Sequence, residues 1–127
     1  GKREPSIYGS MTTDEYFEVL QKDYPHVALG TFQSNIEGEL INQIQKVGFS
    51  ADGIILNAGA YTHTSIALQD AIRSIPAPVI EVHISNVHQR EDYRHQSMIA
   101  SACKGVICGF GLHSYRLALE AFLMLNK

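Results

Sequence analysis

Tryptophan is absent from this 127-residue chain, cysteine occurs twice and proline four times. The two cysteines, Cys103 and Cys108, flank a short apolar run and have no CxxC spacing. That excludes a disulfide-dense scaffold and gives little basis for a thiolate metal site, so both read as buried, reduced thiols. No apolar run approaches the roughly 18 residues of a membrane span, and the polar start lacks the apolar stretch of a signal peptide. Basic charge is also scarce: 10 Lys+Arg stand against 13 Asp+Glu, for a net charge of −3. The electrostatic footprint of a nucleic-acid binder is therefore missing. The expectation is a cytoplasmic protein whose partner is a small molecule or another protein, with no nucleic acid and no membrane.

The chain does have an apolar fraction of 45%, enough for one core of ordinary size. One domain over residues 1–127 is the expected organisation. Four short runs read as strands, at 27–32, 53–57, 79–83 and 105–109, the last three nearly continuous in Val, Ile and Leu. Such runs suit strands buried on both faces of a parallel sheet. Helical periodicity fills the intervals. A helix over 13–24 opens on a Thr/Asp signal, aligns Tyr16, Phe17, Leu20 and Tyr24, and ends at Pro25; one over 37–47 carries Leu40, Ile41, Ile44 and Val47 and stops at Gly48. Others are expected over 65–74, in a short piece after Arg90, and from 113 or 114 to 125, with Tyr115, Ala118, Leu119, Phe122 and Leu123 along one face.

Alternation of this kind predicts an α/β three-layer sandwich with a parallel sheet. The alternation opens on a helix preceded only by the polar stretch 1–10, which contains Pro5. In a flavodoxin-like strand order of 2-1-3-4-5 a central strand belongs before that helix. The expectation is a domain whose first strand is missing from this chain, with the natural product extending upstream of Gly1.

Ligands in open parallel sheets bind beyond the carboxyl ends of the strands. The residues there are polar: Asn57-Ala58-Gly59-Ala60-Tyr61-Thr62-His63-Thr64-Ser65 after one run, and His83-Ile84-Ser85-Asn86-Val87-His88-Gln89-Arg90 after the next, with Arg94 a turn later. Asn57, His63, His83, Arg90 and Arg94 would converge as neutral donors, a titratable acid or base and two cations, a set suited to a small anion. Each has a plainer role available. Asn57 can cap the following helix, the histidines can be solvated, and Arg90 and Arg94 can pair with Glu91 and Asp92 on a helix face. An anion-binding module without catalysis is thus a second reading. A metal site is not expected, because no HExxH or Cys/His cluster accompanies the six histidines.

Four stretches in order, Arg3-Glu4-Pro5-Ser6-Ile7-Tyr8-Gly9, Gln33-Ser34-Asn35 with Glu37-Gly38-Glu39-Leu40, the loop from Asn57 to Ser65, and Glu81-Val82-His83-Ile84-Ser85-Asn86, resemble the type II 3-dehydroquinate dehydratases over nearly the whole chain. The family's opening strand and its Asn-Gly-Pro-Asn-type loop have no counterpart here. The resemblance implies a flavodoxin-like fold, a cofactor-free anti elimination of water from 3-dehydroquinate, and a homododecamer built from trimers. It implies Tyr8 as the base that removes the C2 proton, with Arg3 and Arg90 near it. Asn57 would help hold a water that stabilises the enolate, and His83 would supply, or position the supply of, a proton to the departing hydroxyl. His63 and Arg94 would bind ring hydroxyls, the backbone N–H groups of Ile84 and Ser85 the carboxylate, and Asp70 would reach the neighbouring subunit's site.

The physics permits these roles. A tyrosine hydroxyl ordinarily titrates near about 10, so a base near neutral pH needs cationic neighbours. One unit charge about 4 Å away at an effective dielectric of about 20 supplies roughly 4 kcal/mol. The Arg3 to Tyr8 stretch, with Pro5 and then Gly9, has the composition of a loop able to close over a substrate. No step demands a hydride carrier, an electron sink, a metal or a lysine imine, and no lysine lies between Asn57 and Arg94.

Overall fold

A computed structural model describes residues 11–85 and 97–125. The chain divides into two compact units, Gly1–Phe32 and Gln33–Lys127. In the first, helix α1 (Thr13–Asp23) begins with a capping box. The Thr12 hydroxyl accepts from the Glu15 N–H at 3.1 Å, and the Glu15 carboxylate accepts from the Thr12 N–H at 2.9 Å. Tyr16 and Leu20, a turn apart, are buried.

Residues 27–32 do not form the expected strand. A strand exists through its ladder, and none of the described residues pairs with this segment. Its backbone is held locally instead. The Gln21 side-chain amide donates to the carbonyls of Tyr24 and Val27 and accepts from the Leu29 N–H at 3.0 Å.

The second unit runs α2 (Glu37–Val47), β1 (Ile54–Leu56), a 3₁₀ turn (Gly59–His63), α3 (Ile66–Arg73), β2 (Val79–His83), a second 3₁₀ turn (Ala100–Ala102), β3 (Gly105–Cys108) and α4 (His113–Leu125). The strands form a parallel sheet in the order β1-β2-β3, with Ile54 opposite Val79 and Ile80 opposite Gly105. This in-sequence order is the 3-4-5 part of the expected flavodoxin-like arrangement.

Alternation along the strands sets two faces. Leu56 and Val79 join Leu40, Ile44, Leu68, Ala71 and Ile72 in a core beneath α2 and α3. Ile80 and Val82 on the opposite face, with Ile55 and Ile107, pack against Ala118 and Phe122 of α4. Helices on both sides of a sheet make the predicted three-layer α/β sandwich. Each cysteine is a free thiol, half-buried where full burial was expected.

Gly48 does end α2, but not through the left-handed cap its type suggests: its φ is −64°. Glycine is required there by close approach. A Cβ would lie 2.4 Å from the Ile75 Cγ2, in the corner where the Gly48 carbonyl accepts from Ala77.

Candidate active site

Asn57 follows β1 directly and is half-buried. Its Oδ1 accepts from the Gly59 N–H at 3.1 Å, which turns the chain into the 3₁₀ turn, and its Nδ2 donates to the Tyr115 hydroxyl of α4 at 3.3 Å. The capping role open to Asn57 is not realised: Ala58 is the N-cap of the 3₁₀ turn and Ser65 that of the next α-helix, and Asn57 makes a local turn two residues long instead. The turn ends at His63, whose ring stacks on that of His83, with centroids 6.5 Å apart and planes 21° from parallel.

His83 closes β2 and is 7% exposed, and Glu81, two residues earlier on the same strand face, is 1% exposed. Their side chains meet through the His83 Nε2 and a Glu81 carboxylate oxygen. Ser97 donates to both carboxylate oxygens, at 3.0 and 3.2 Å, while its own oxygen accepts from the N–H groups of Ile99 and Ala100. A buried carboxylate needs such partners, since an unpaired one would carry a large desolvation cost. The imidazole that results is oriented, with Nε2 turned to the carboxylate and Nδ1 on the other side of the ring.

The strand end is tied down by the loop after β3 and the start of α4. The His83 carbonyl accepts from the Gly109 N–H at 3.1 Å and from the buried Ser114 hydroxyl at 3.3 Å, and the Ile84 carbonyl from the Gly111 N–H at 2.8 Å. Ile84 and Ser85 follow, both exposed. Asp70 stands exposed on α3, outside the strand-end loops. Arg3, Tyr8, Arg90, Arg94 and the short helix expected after Arg90 lie outside the described residues.

The motif around Glu37 is joined to the loop after β1. Ser65, the N-cap of α3, accepts from the Leu68 N–H at 2.9 Å and donates to the Glu37 carboxylate. The Tyr61 hydroxyl donates to the Asn35 carbonyl at 2.9 Å.

Glu81, Ser97, Ser114 and Tyr115 were not among the expected site residues. A signal existed for Glu81: a carboxylate inside the apolar run 79–82, two positions before a histidine, shares that histidine's strand face. Tyr115 read only as one member of an apolar helix stripe, and no local pattern links it to a residue 58 positions away.

Two electrostatic consequences follow from burial. Desolvation, and then the charge of Glu81, push the Cys103 thiol up to about 12. Burial also raises the Tyr115 hydroxyl above its ordinary value, partly offset by the hydrogen bond from Asn57. No group of three or more potential metal ligands occurs among the described residues. Nor is any helix among them long and apolar enough to cross a membrane.

Fold and site together define an α/β protein of flavodoxin-like architecture, with polar side chains gathered at the carboxyl ends of its parallel strands. Residues 1–123 match the family described as dehydroquinase class II, and the chain belongs to that family. It is 51% identical over 127 residues to a 3-dehydroquinate dehydratase of Chlorobaculum tepidum, covering 97% of this chain and 84% of that one. A 3-dehydroquinate dehydratase of Rhizobium johnstonii is 55% identical over 123 residues, covering 95% and 85%. Among solved structures, the type II dehydroquinase of Butyrivibrio crossotus superposes with a TM-score of 0.85 at 39% identity, covering 96% of this chain and 87% of that chain.

Proposed function

We propose that this chain catalyses the anti elimination of water from 3-dehydroquinate, giving 3-dehydroshikimate through an enolate, as a hydro-lyase of the shikimate pathway to chorismate and the aromatic amino acids. The observation that carries this reading is the class II dehydroquinase match across residues 1–123.

In this reading Tyr8 takes the C2 proton, with Arg3 and Arg90 favouring its phenolate. The C–H electron pair moves toward the ketone, and the charge on its oxygen is met by a water that Asn57 helps to hold. When the ketone re-forms, the electron pair expels the hydroxyl, and His83 gives or directs a proton to it so that water leaves. The Glu81 carboxylate contacts the His83 Nε2 and so fixes the orientation in which the ring meets the substrate. His63 and Arg94 take ring hydroxyls, the N–H groups of Ile84 and Ser85 take the carboxylate, and Asp70 serves the neighbouring subunit's site. Every step moves a proton or an electron pair within the substrate, so the reaction needs no cofactor.

We further propose that the chain acts as a single catalytic domain, assembles as a homododecamer of trimers, and works in the cytoplasm. The test of the chemistry is substrate deuterated stereospecifically at C2. Loss of label from the position anti to the departing hydroxyl, with retention at the other, is the expected result. Loss from the syn position contradicts the mechanism, and no conversion by folded, assembled protein contradicts the reading as a whole.

A further inference from the structure

Asn57 is held at both ends of its amide, and the two anchors differ in kind. The bond from the Gly59 N–H to Oδ1 is local, a turn that the loop makes with itself. The bond from Nδ2 to the Tyr115 hydroxyl comes from the first turn of α4, 58 residues away in sequence. A primary amide has two N–H donors and two acceptor lone pairs. Among the described residues these are its side-chain contacts, which leaves one donor and one lone pair of Asn57 for a ligand. A flip of the amide would exchange them, and the local turn alone resists that flip less than two anchors do.

We infer that Tyr115 is a positioning residue of the active site, whose hydroxyl accepts from Asn57 and fixes the orientation in which that amide meets the substrate or its bound water. The inference rests on the role of Asn57 proposed above. Tyr115 is suited to it because its ring packs against the core formed by Ile80, Val82, Ala118 and Phe122. The residue before it, Ser114, is fully buried and donates to the His83 carbonyl at 3.3 Å. Two consecutive residues of α4 therefore brace the carboxyl ends of two neighbouring strands, one holding β2 by its backbone and the other holding the residue after β1 by its side chain. Burial keeps the Tyr115 hydroxyl protonated well into alkaline pH, so the acceptor is a neutral phenol.

Tyr115→Phe removes the oxygen and keeps the ring. The expected result is a protein with parental melting behaviour and assembly, and a kcat/KM for 3-dehydroquinate lowered roughly 3- to 10-fold, the worth of one net hydrogen bond. In an Asn57→Ala background the same substitution is expected to cost nothing further. Parental kcat/KM in the single variant, or an equal loss in both backgrounds, overturns the inference. Hydrogen exchange of the Asn57 side-chain amide separates it from the functional reading, because that readout needs no turnover. Exchange roughly 3- to 10-fold faster in Tyr115→Phe supports the positioning role even where the parent proves inactive, and unchanged exchange refutes it.

Discussion

The two faces of β2 are equally buried and chemically opposite. Ile80 and Val82 lie beneath α4 at 3% and 0% exposure, while Glu81 and His83 lie on the other face at 1% and 7%. One face is ordinary core. The other carries an ionisable pair where an apolar pair would cost less, and it is tolerable only because the carboxylate is met by the imidazole and by Ser97. Burial alone therefore does not separate core from site; the hydrogen-bond partners do. The polar pair also ends in His83, the last residue of the central strand, where a parallel sheet presents side chains to ligands.

Substitutions on the two faces should break in different ways. His83→Ala has the largest expected effect, a loss of roughly 10²- to 10⁴-fold in kcat with the fold retained, measured by the ultraviolet absorption of the conjugated enone product. A loss under threefold would remove His83 from the chemistry. Glu81→Met comes next. It removes the buried charge at similar volume, so thermal stability is expected to hold or rise while turnover falls roughly 10- to 100-fold through loss of the imidazole's partner. A destabilised but fully active variant would make Glu81 a structural residue.

Val82→Ala, on the apolar face, is expected to cost about 1–3 kcal/mol in denaturant unfolding and to leave the folded enzyme's turnover near parental. A kinetic loss exceeding the stability loss would erase the distinction between the faces.

The smallest effect concerns Cys103, raised from an ordinary 9.0 to about 12 by burial and by Glu81. An acid raised in the folded state favours its neutral form there. Its stabilising contribution is thus complete below about pH 9 and declines as pH rises from there toward 12. Alkylation of Cys103 in the native protein at pH 9 is expected to be slow and to quicken in Glu81→Met. Equal rates in the two proteins would mean that the carboxylate does not reach the thiol.

Much of this was legible in the sequence because it is periodic. The Leu40, Ile41, Ile44 and Val47 stripe marked α2, and the continuous run at 79–83 marked β2 as a doubly buried strand. Segment 27–32 has equally strand-like residues but no ladder among the described residues, and a ladder is a property of two segments that one segment's composition does not contain. Gly48 is a similar case. Its position after the last periodic residue marked the helix end, whereas the residue is small to admit Ile75, a neighbour distant in sequence. At the site, strand-end position singled out Asn57, His63 and His83. The contacts that orient them, Tyr115 with Asn57 and Ser97 with Glu81, join separate elements, and only the folded chain brings those elements together.

The most direct measurement of the central claim is turnover itself. Purified protein, stripped of metal with a chelator, is mixed with 3-dehydroquinate with and without borohydride while the enone absorption is followed. Undiminished product formation under both treatments is predicted, since proton transfers by side chains need neither a metal nor an imine. Abolition by chelator or by borohydride, or no product from folded and assembled protein, would contradict the account.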